Sequence, residues 1–282
     1  DINEEWISDK TRYACDGIKN QRLDVPYLKT EKDFQKISWE EANKIIVKKI
    51  NEVSPEKIAG YTGDLTNMET LYVVKEFFNK TIKSKFLDSR YNNMYINTTK
   101  RENYLFNASI NGIEESDFIL LIGTNPRYEA TILNARIRKS YLKNNLEIYS
   151  LGDAGDLTYP YKILPNTTDF IKQIIEGKHE ISNKILNSSK PLIIIGESAL
   201  TLKSGKYVFE KMKEYLSSLN KINDEWNSLS ILLKDASSVG SYDLKIISSS
   251  DSENIVLKKT LNNEFEIIFL IGQDNLDFKK KK

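Results

Sequence analysis

The 282-residue chain carries 41 Lys+Arg against 40 Asp+Glu, a formal net charge of +1, with 40% hydrophobic residues. The balance excludes the basic stripe of a nucleic-acid binder and a polybasic membrane anchor, and no apolar stretch nears the ~18 residues of a membrane-spanning helix. One Cys and one His exclude an internal disulfide framework and a self-contained iron–sulfur cluster, which takes about four Cys ligands.

The length favours two α/β domains, and the apolar fraction is enough to build their cores. The opening Asp1-Ile2-Asn3-Glu4-Glu5 is acidic, lacks Met, shows no signal or transit peptide and joins a motif partway through. The close, Lys279 to Lys282, follows a strand-like run with no terminating element, so the chain reads as a fragment or one product of a split gene. Residues 1–37 form a lead segment, in which Trp6 to Tyr27 has no hydrophobic period and is expected to lie across a neighbouring domain.

Ser38-Trp39-Glu40-Glu41 is a capping box opening a helix with Ala42, Ile46, Ile50 and Val53 on one face, closed by Pro55. Lys57 to Gly63 reads as a strand. Thr66-Asn67-Met68-Glu69 is a second capping box, backed by the stripe Met68, Leu71, Val74 and Phe78, and Lys85 to Asp88 is a further strand. Tyr91 to Asn111 is polar and irregular, a long loop of the kind found at functional sites and interfaces.

Phe118 to Thr124 is a buried strand ending in a tight turn at Gly123, with a helix from Arg127 to Lys143 after it. Leu146 to Leu151 is the next strand, followed by the turn Gly152-Asp153-Ala154-Gly155-Asp156. Then come a helix at Thr168 to Glu176, a strand at Leu192 to Gly196, a helix at Ser204 to Leu219, a strand at Leu229 to Leu233, a surface loop at Ser237–Asn254 and a strand at Phe265 to Ile271.

Three blocks share one pattern: Leu120-Leu121-Ile122-Gly123, Ile193-Ile194-Ile195-Gly196 and Phe269-Leu270-Ile271-Gly272. Continuous apolar runs mark strands covered on both faces, hence parallel sheets with helices outside. The expected fold is therefore α/β, two Rossmann-like parallel-sheet domains after an extended hinge, divided as 1–37, 38–165 and 166–282.

The turn after Phe118–Ile122 is the best candidate site. A βα turn aims backbone N–H groups outward and suits a phosphate. Gly123 makes the turn, Thr124 or Asn125 caps the helix, Pro126 presets its first residue, and Arg127 is placed to pair with a phosphate. The plainer reading is that Gly123 only lets strand and helix pack closely, and the fuller G-x-G-x-x-G pattern is absent. Cys15 lacks a neighbouring His and reads as a quietly packed small hydrophobe, and His179 as an exposed residue without metal partners. Asp153 and Asp156 read as turn formers. The cations Arg127, Arg136, Arg138, Lys139 and Lys143 form a solvated or subunit-facing surface.

These residues resemble a family. Glu4-Glu5-Trp6-Ile7-Ser8-Asp9-Lys10-Thr11-Arg12-Tyr13, Asp16-Gly17 and Gln21-Arg22-Leu23-Asp24-Val25-Pro26-Tyr27 resemble the hinge of the large iron–sulfur subunit of respiratory complex I, known as the 75 kDa subunit in mitochondria and the G subunit in bacteria. Ser38 to Ala42, Gly112 to Asp117, Leu121 to Ala130, Leu133 to Arg138 and Asp156 to Tyr159 continue the likeness, which thins beyond about residue 160 to Gly196 and Gly272-Gln273-Asp274.

The resemblance implies a molybdopterin-oxidoreductase-like domain that has lost its metal cofactor. It implies a non-catalytic structural domain of the NADH-oxidising peripheral arm, with no catalytic or metal residue in this chain. Gly123, Thr124, Asn125 and Arg127 would be vestiges of a cofactor turn. It places the iron–sulfur clusters in an N-terminal ferredoxin-like region before this chain, or in a partner chain. The partners would be other peripheral-arm subunits, at the matrix side of the mitochondrial inner membrane or the cytoplasmic face of a bacterial one. The abundance of Lys, Asn and Ile fits an AT-rich mitochondrial genome. The competing reading is a catalytic molybdenum or tungsten bis-pterin oxidoreductase, a formate dehydrogenase relative. That enzyme needs a Cys, selenocysteine or Ser on the metal, and between Leu87 and Phe118 only Ser89, beside Arg90, is available.

Overall fold

The computed structural model describes residues 4–20, 22–144, 146–247 and 253–276. Asp1 to Asn3, Gln21 of the hinge motif, residues 248–252 of the serine-rich segment and the closing lysines lie outside the described residues.

In chain order the strands are β1 (Tyr27–Lys29), β2 (Phe34–Lys36), β3 (Ile58–Thr62), β4 (Leu87–Asp88), β5 (Phe118–Ile122), β6 (Glu147–Leu151), β7 (Lys162–Leu164), β8 (Pro191–Gly196), β9 (Leu229–Leu232) and β10 (Ile267–Ile271). The helices are α1 (Asp9–Tyr13), α2 (Trp39–Glu52), α3 (Met68–Glu76), α4 (Ser109–Gly112), α5 (Pro126–Glu129), α6 (Thr131–Asn144), α7 (Thr168–Ile175), α8 (Glu180–Asn187), α9 (Glu197–Leu200), α10 (Gly205–Ser218), α11 (Ser238–Asp243) and α12 (Ile255–Leu261).

The larger sheet runs β7-β6-β5-β8-β9, parallel throughout, with β5 central. Both faces of β5 are buried, as its unbroken apolar run requires. Phe118, Leu120 and Ile122 join the cluster that takes in α7 and α10, while Ile119 and Leu121 join the opposite cluster with Leu133 and Ile137 of α6. Each such fully buried Leu or Ile contributes about 1.5–3 kcal/mol relative to exposure. After β5 the chain goes to β6 on one side and later returns to β8 on the other. The order therefore reverses between β5 and β8, and the loops leaving them face each other there.

The smaller sheet is β10-β3-β4, again parallel. Ile58, Leu71, Phe78 and Leu87 fill one side with α3, and Ala59, Tyr61 and Val256 fill the other under α12. β1 and β2 form a separate antiparallel hairpin.

The division expected at residue 166 runs through the larger sheet, where β5–β7 and β8–β9 lie side by side, and β3 pairs with β10 from the far end of the chain. The three apolar-run-plus-Gly blocks follow one another in the chain, but periodicity carries no pairing information: two are neighbours in one sheet and the third lies in the other.

Local signals fare as their chemistry dictates. Ser38 caps α2 by accepting the Glu41 N–H at 3.1 Å, and Asn67 caps α3 by accepting the Thr70 N–H at 2.9 Å. On α2 only Ala42 is fully buried and Ile46 is exposed; on α3 Met68 is exposed while Leu71 is buried. The helix expected over Arg127–Lys143 is two helices, broken at Ala130 (φ −149°). The serine-rich stretch read as a surface loop contains α11, whose Ser238, Ser241 and Tyr242 are buried. Cys15 is exposed rather than packed, because α1 and the turn after it, Ala14–Ile18, bury no side chain. Trp6, Tyr13, Ile18 and Leu23 in the same lead segment are exposed.

Candidate functional site

The reversal between β5 and β8 is where an open parallel sheet offers a ligand crevice. Gly123 ends β5 with φ +60°, a left-handed geometry that favours glycine. A Cβ there would lie 2.6 Å from both the backbone N and the Cβ of Ala199 in α9. Across the reversal, a Cβ on Gly196 would lie 2.5 Å from the Gly123 carbonyl oxygen and 2.6 Å from Thr124 Cβ. The two loops are packed backbone to backbone, continuing the β5–β8 pairing beyond Ile122 and Ile195.

The other turn residues are each engaged internally. Thr124 is buried and its Oγ1 donates to Glu129 Oε2 at 2.7 Å, so the hydroxyl of the turn is taken by a carboxylate of the chain itself. Asn125 caps α5 by accepting the Tyr128 N–H at 3.3 Å, and its Nδ2 donates to the Ala154 carbonyl at 2.5 Å. Arg127 turns away from the crevice, donating from Nη1 to the Asp156 carbonyl at 2.9 Å and to the Asp156 carboxylate. Asp156 in turn accepts the Thr158 N–H and Asp153 the Gly155 N–H, both at 2.8 Å, the side-chain turns expected of these residues. Those N–H groups, with Arg127 and Tyr161 behind them, hold both carboxyls below their ordinary range.

The field around the crevice is negative. Glu197, the residue after Gly196, is 5% exposed and accepts the Lys234 N–H at 2.7 Å. Burial raises its pKa, the Lys234 N–H opposes that rise, and Asp235 and Glu129 add to it. Burial and then Asp64 raise Asp235. Tyr91, facing Asp235, Glu197 and Asp64, is pushed up to about 12, chiefly by burial. Lys234 Nζ stands 3.9 Å from Glu129 Oε1. A diphosphate brought here would meet the carboxylates of Asp64, Glu129, Glu197 and Asp235 with Lys234 as the cation among them.

Ser89 lies at the end of β4, away from the Gly123 turn in sequence and sheet. Its N–H donates to the Ile246 carbonyl at 3.2 Å. Its neighbours form a buried ion pair, with Arg90 Nε and Nη2 donating to the two Asp88 oxygens at 3.1 and 3.0 Å and Nη1 donating to the Met94 carbonyl at 3.0 Å. Cys15 and His179 join neither place. His179 caps α8 by accepting the Ile181 N–H at Nδ1, its ring edge-on to Phe170, and is half-buried rather than exposed. Among the described residues no group of three or more His, Cys, Asp or Glu side chains is placed to hold a metal ion.

The polar groups of the turn are thus engaged within the chain, Thr124 with Glu129, Asn125 with the Ala154 carbonyl and Arg127 with Asp156. The acidic residues are the part that sequence reasoning missed. A signal for them exists, because Asp64 and Glu197 each directly follow a strand-ending glycine, Gly63 and Gly196.

Residues 22–282 match the family model for molybdopterin oxidoreductase, and residues 1–16 match the model for the NADH-ubiquinone oxidoreductase NDSU1/NuoG-like 4Fe-4S domain. The second match revises the expectation that the chain lies wholly after the cluster-bearing region, since its first residues fall within that domain's model. The chain is 37% identical over 295 residues to the NADH-ubiquinone oxidoreductase 75 kDa subunit of Reclinomonas americana, covering 100% of the chain and 42% of that protein. It is 34% identical to the mitochondrial NADH dehydrogenase [ubiquinone] iron-sulfur protein 1 of Solanum tuberosum, covering 99% and 37%. It is 33% identical to the G subunit of the NADH-quinone oxidoreductase of Rickettsia bellii, covering 100% and 40%. The chain thus spans about two-fifths of the length of these relatives. Among solved structures, acetylene hydratase from Pelobacter acetylenicus aligns with a TM-score of 0.45 at 14% identity, over 86% of this chain and 38% of that one. With a family model matched across residues 22–282 of the 282, the chain belongs to the molybdopterin oxidoreductase family.

Proposed function

We propose that this chain is a non-catalytic structural part of the NADH-oxidising peripheral arm of respiratory complex I. In this reading it braces neighbouring cluster-bearing parts while they pass electrons from NADH toward quinone. The carrying observation is the Thr124–Glu129 hydrogen bond inside a crevice closed by the Gly123 and Gly196 loops. The one buried hydroxyl of the turn is thereby engaged by the chain's own carboxylate and not left for a ligand. Similarity along the whole chain to 75 kDa and G subunits supports the assignment to that assembly.

The partners are other peripheral-arm subunits, foremost whatever carries the 4Fe–4S region whose model residues 1–16 match. The location is the matrix side of the mitochondrial inner membrane. Among the described residues no helix is long and apolar enough to cross a membrane, so attachment through other subunits is the fitting arrangement. The catalytic molybdenum or tungsten reading draws on the family match and meets the acidic, self-filled crevice.

The test is a Thr124→Val, Glu129→Gln double variant in the assembled complex. NADH–quinone turnover per assembled complex should stay near the unsubstituted level. A large loss of turnover with normal assembly would overturn the non-catalytic role.

A further inference from the structure

Among the described residues the two parallel sheets end in the edge strands β7, β9, β4 and β10. An open edge invites pairing unless it is short, charged or covered. β4 is two residues long, and its Asp88 is paired with Arg90. β7 is three residues long and opens on Lys162. β9 is covered by the long loop after β4: the Ile231 N–H donates to the Leu105 carbonyl at 2.9 Å, and Asn107 Nδ2 donates to the Leu229 carbonyl at 2.7 Å. β10 has none of these devices. Its residues Ile267-Ile268-Phe269-Leu270-Ile271 include no charge and no proline, and among the described residues no strand pairs with its outer side.

The Ile271 carbonyl accepts the Gly63 N–H at 2.8 Å, which sets the alternation along β10. Ile267, Phe269 and Ile271 turn their backbone groups toward β3, and Ile268 and Leu270 turn theirs outward. An unbroken apolar run suits a strand covered on both faces. β3 meets that expectation with all its residues buried, whereas no residue of β10 is fully buried and Leu270 keeps 46% of its exposure. α2 is incomplete in the same place. Its Ile50 packs with Val53 against the cluster that holds Ile267 and Phe269, but Ile46 and Val47 stay exposed. Along the open edge, between helix and strand, runs a groove of about 390 Å³ lined chiefly by Ile45, Ile46, Ile50, Ile267, Ile268 and Phe269.

We propose that the outer edge of β10 docks one further apolar β-strand, added parallel and laid against α2, and that this strand belongs to the polypeptide that follows β10 in the full-length relatives. The chain spans about two-fifths of those relatives, so about three-fifths of their length lies outside the matched region. The part before it includes the 4Fe–4S domain whose model residues 1–16 match. Consecutive strands are neighbours roughly two-thirds of the time, which favours the part after it. Every pairing within the two larger sheets is parallel, and a parallel neighbour needs a crossover of about a dozen residues or more, which that length supplies. The proposal rests on the open edge and the relatives' length and not on the proposed function.

The test offers the 282-residue chain two separately expressed pieces of the Reclinomonas americana 75 kDa subunit, the part before and the part after the matched region. The later piece should co-purify with the chain, and the Ile268 and Leu270 amides should exchange hydrogen about tenfold or more slowly in the complex than in the chain alone. Leu270→Pro removes an outward N–H that β3 does not use, a change that edge strands tolerate, so the chain should fold and no longer capture the piece. Ile46→Lys on the exposed helix face should weaken capture about tenfold or more by burying an unpaired charge, with the thermal midpoint unchanged. Where the later piece binds too weakly to isolate, joining it to the end of the chain reads the same exchange in one polypeptide. Unchanged exchange at Ile268 and Leu270 in the complex or the joined protein would overturn the proposal. So would capture of the earlier piece alone, capture that survives Leu270→Pro, or pairing of two copies of the chain that Leu270→Pro abolishes.

Discussion

Gly196→Ala isolates the closure of the β5–β8 crevice from every other effect of the substitution. Gly196 has φ −91° and ψ 166°, extended backbone that alanine adopts freely. In an open crevice the change would stabilise the chain by about 0.4–1 kcal/mol, through the lower entropy of the unfolded state. In this structure the new methyl lies 2.5 Å from the Gly123 oxygen, 2.6 Å from Thr124 Cβ and 3.1 Å from Thr124 Cα. These neighbours are backbone or rigidly attached to it, so they cannot rotate away, and overpacking costs about 1–3 kcal/mol. The net effect should therefore be destabilising by roughly 1–2 kcal/mol, the opposite sign from the open case. At about 2–4 °C per kcal/mol for a chain of this size, the thermal midpoint should fall by a few degrees, with a matching drop in the urea midpoint. Gly17→Ala, which meets nothing within 4 Å, is the open-space control and should leave both midpoints unchanged or raise them slightly, by at most about 0.4–1 kcal/mol. A Gly196→Ala chain as stable as the parent, or more so, would refute the contact between the two loops.

Glu197→Gln keeps the acceptor for the Lys234 N–H and removes a charge that burial, Asp235 and Glu129 disfavour. A carboxylate raised in the folded state confers stability that is full below its ordinary value of 4.5 and lost as pH rises through the elevated one. The variant should therefore unfold at higher urea than the parent at neutral pH, with the gap closing on acidification; a less stable variant at neutral pH would contradict this. Tyr159→Phe removes the buried donor to Asn134 Oδ1 at 2.8 Å and should cost about 1–3 kcal/mol by denaturant titration, with a neutral result contradicting the network. Arg127→Ala loses an exposed pair with Asp156, worth about 0–1 kcal/mol, and NADH oxidation by the assembled complex should remain near normal. A large loss of turnover with intact assembly would assign Arg127 a role in the chemistry.

The strands were legible where they are buried on both faces. Phe118–Ile122 and Pro191–Gly196 form unbroken apolar runs, and such runs state burial without ambiguity. The cap at Ser38 was equally legible, because a hydroxyl three residues before an orphan N–H is a local fact, whereas the second box was read one residue early: Asn67 caps α3 and the Thr66 hydroxyl donates to the Ile271 carbonyl instead. Partnership was not. Nothing in the run at Ile267–Ile271 announces pairing with Ile58–Thr62, which is why the division at residue 166 fails against the sheets. The candidate turn was found at Gly123, but what occupies it was not, because Glu129 and Glu197 act through positions that only the packing of β5 beside β8 creates. Arg136 shows the same limit: an α6 cation expected at the surface is buried between Glu4 and Glu114, partners 132 and 22 residues away in the chain.

If the turn after β5 is a vestige, engaged by the chain's own Glu129, the chain carries no pterin cofactor. The most direct measurement is metal and pterin analysis of the chain purified within its assembly, by mass spectrometry for molybdenum and tungsten and by fluorescence of oxidised pterin. Neither metal nor pterin should rise above background relative to the chain. Stoichiometric molybdenum or tungsten together with a pterin dinucleotide, held at Thr124 in place of Glu129, would contradict it.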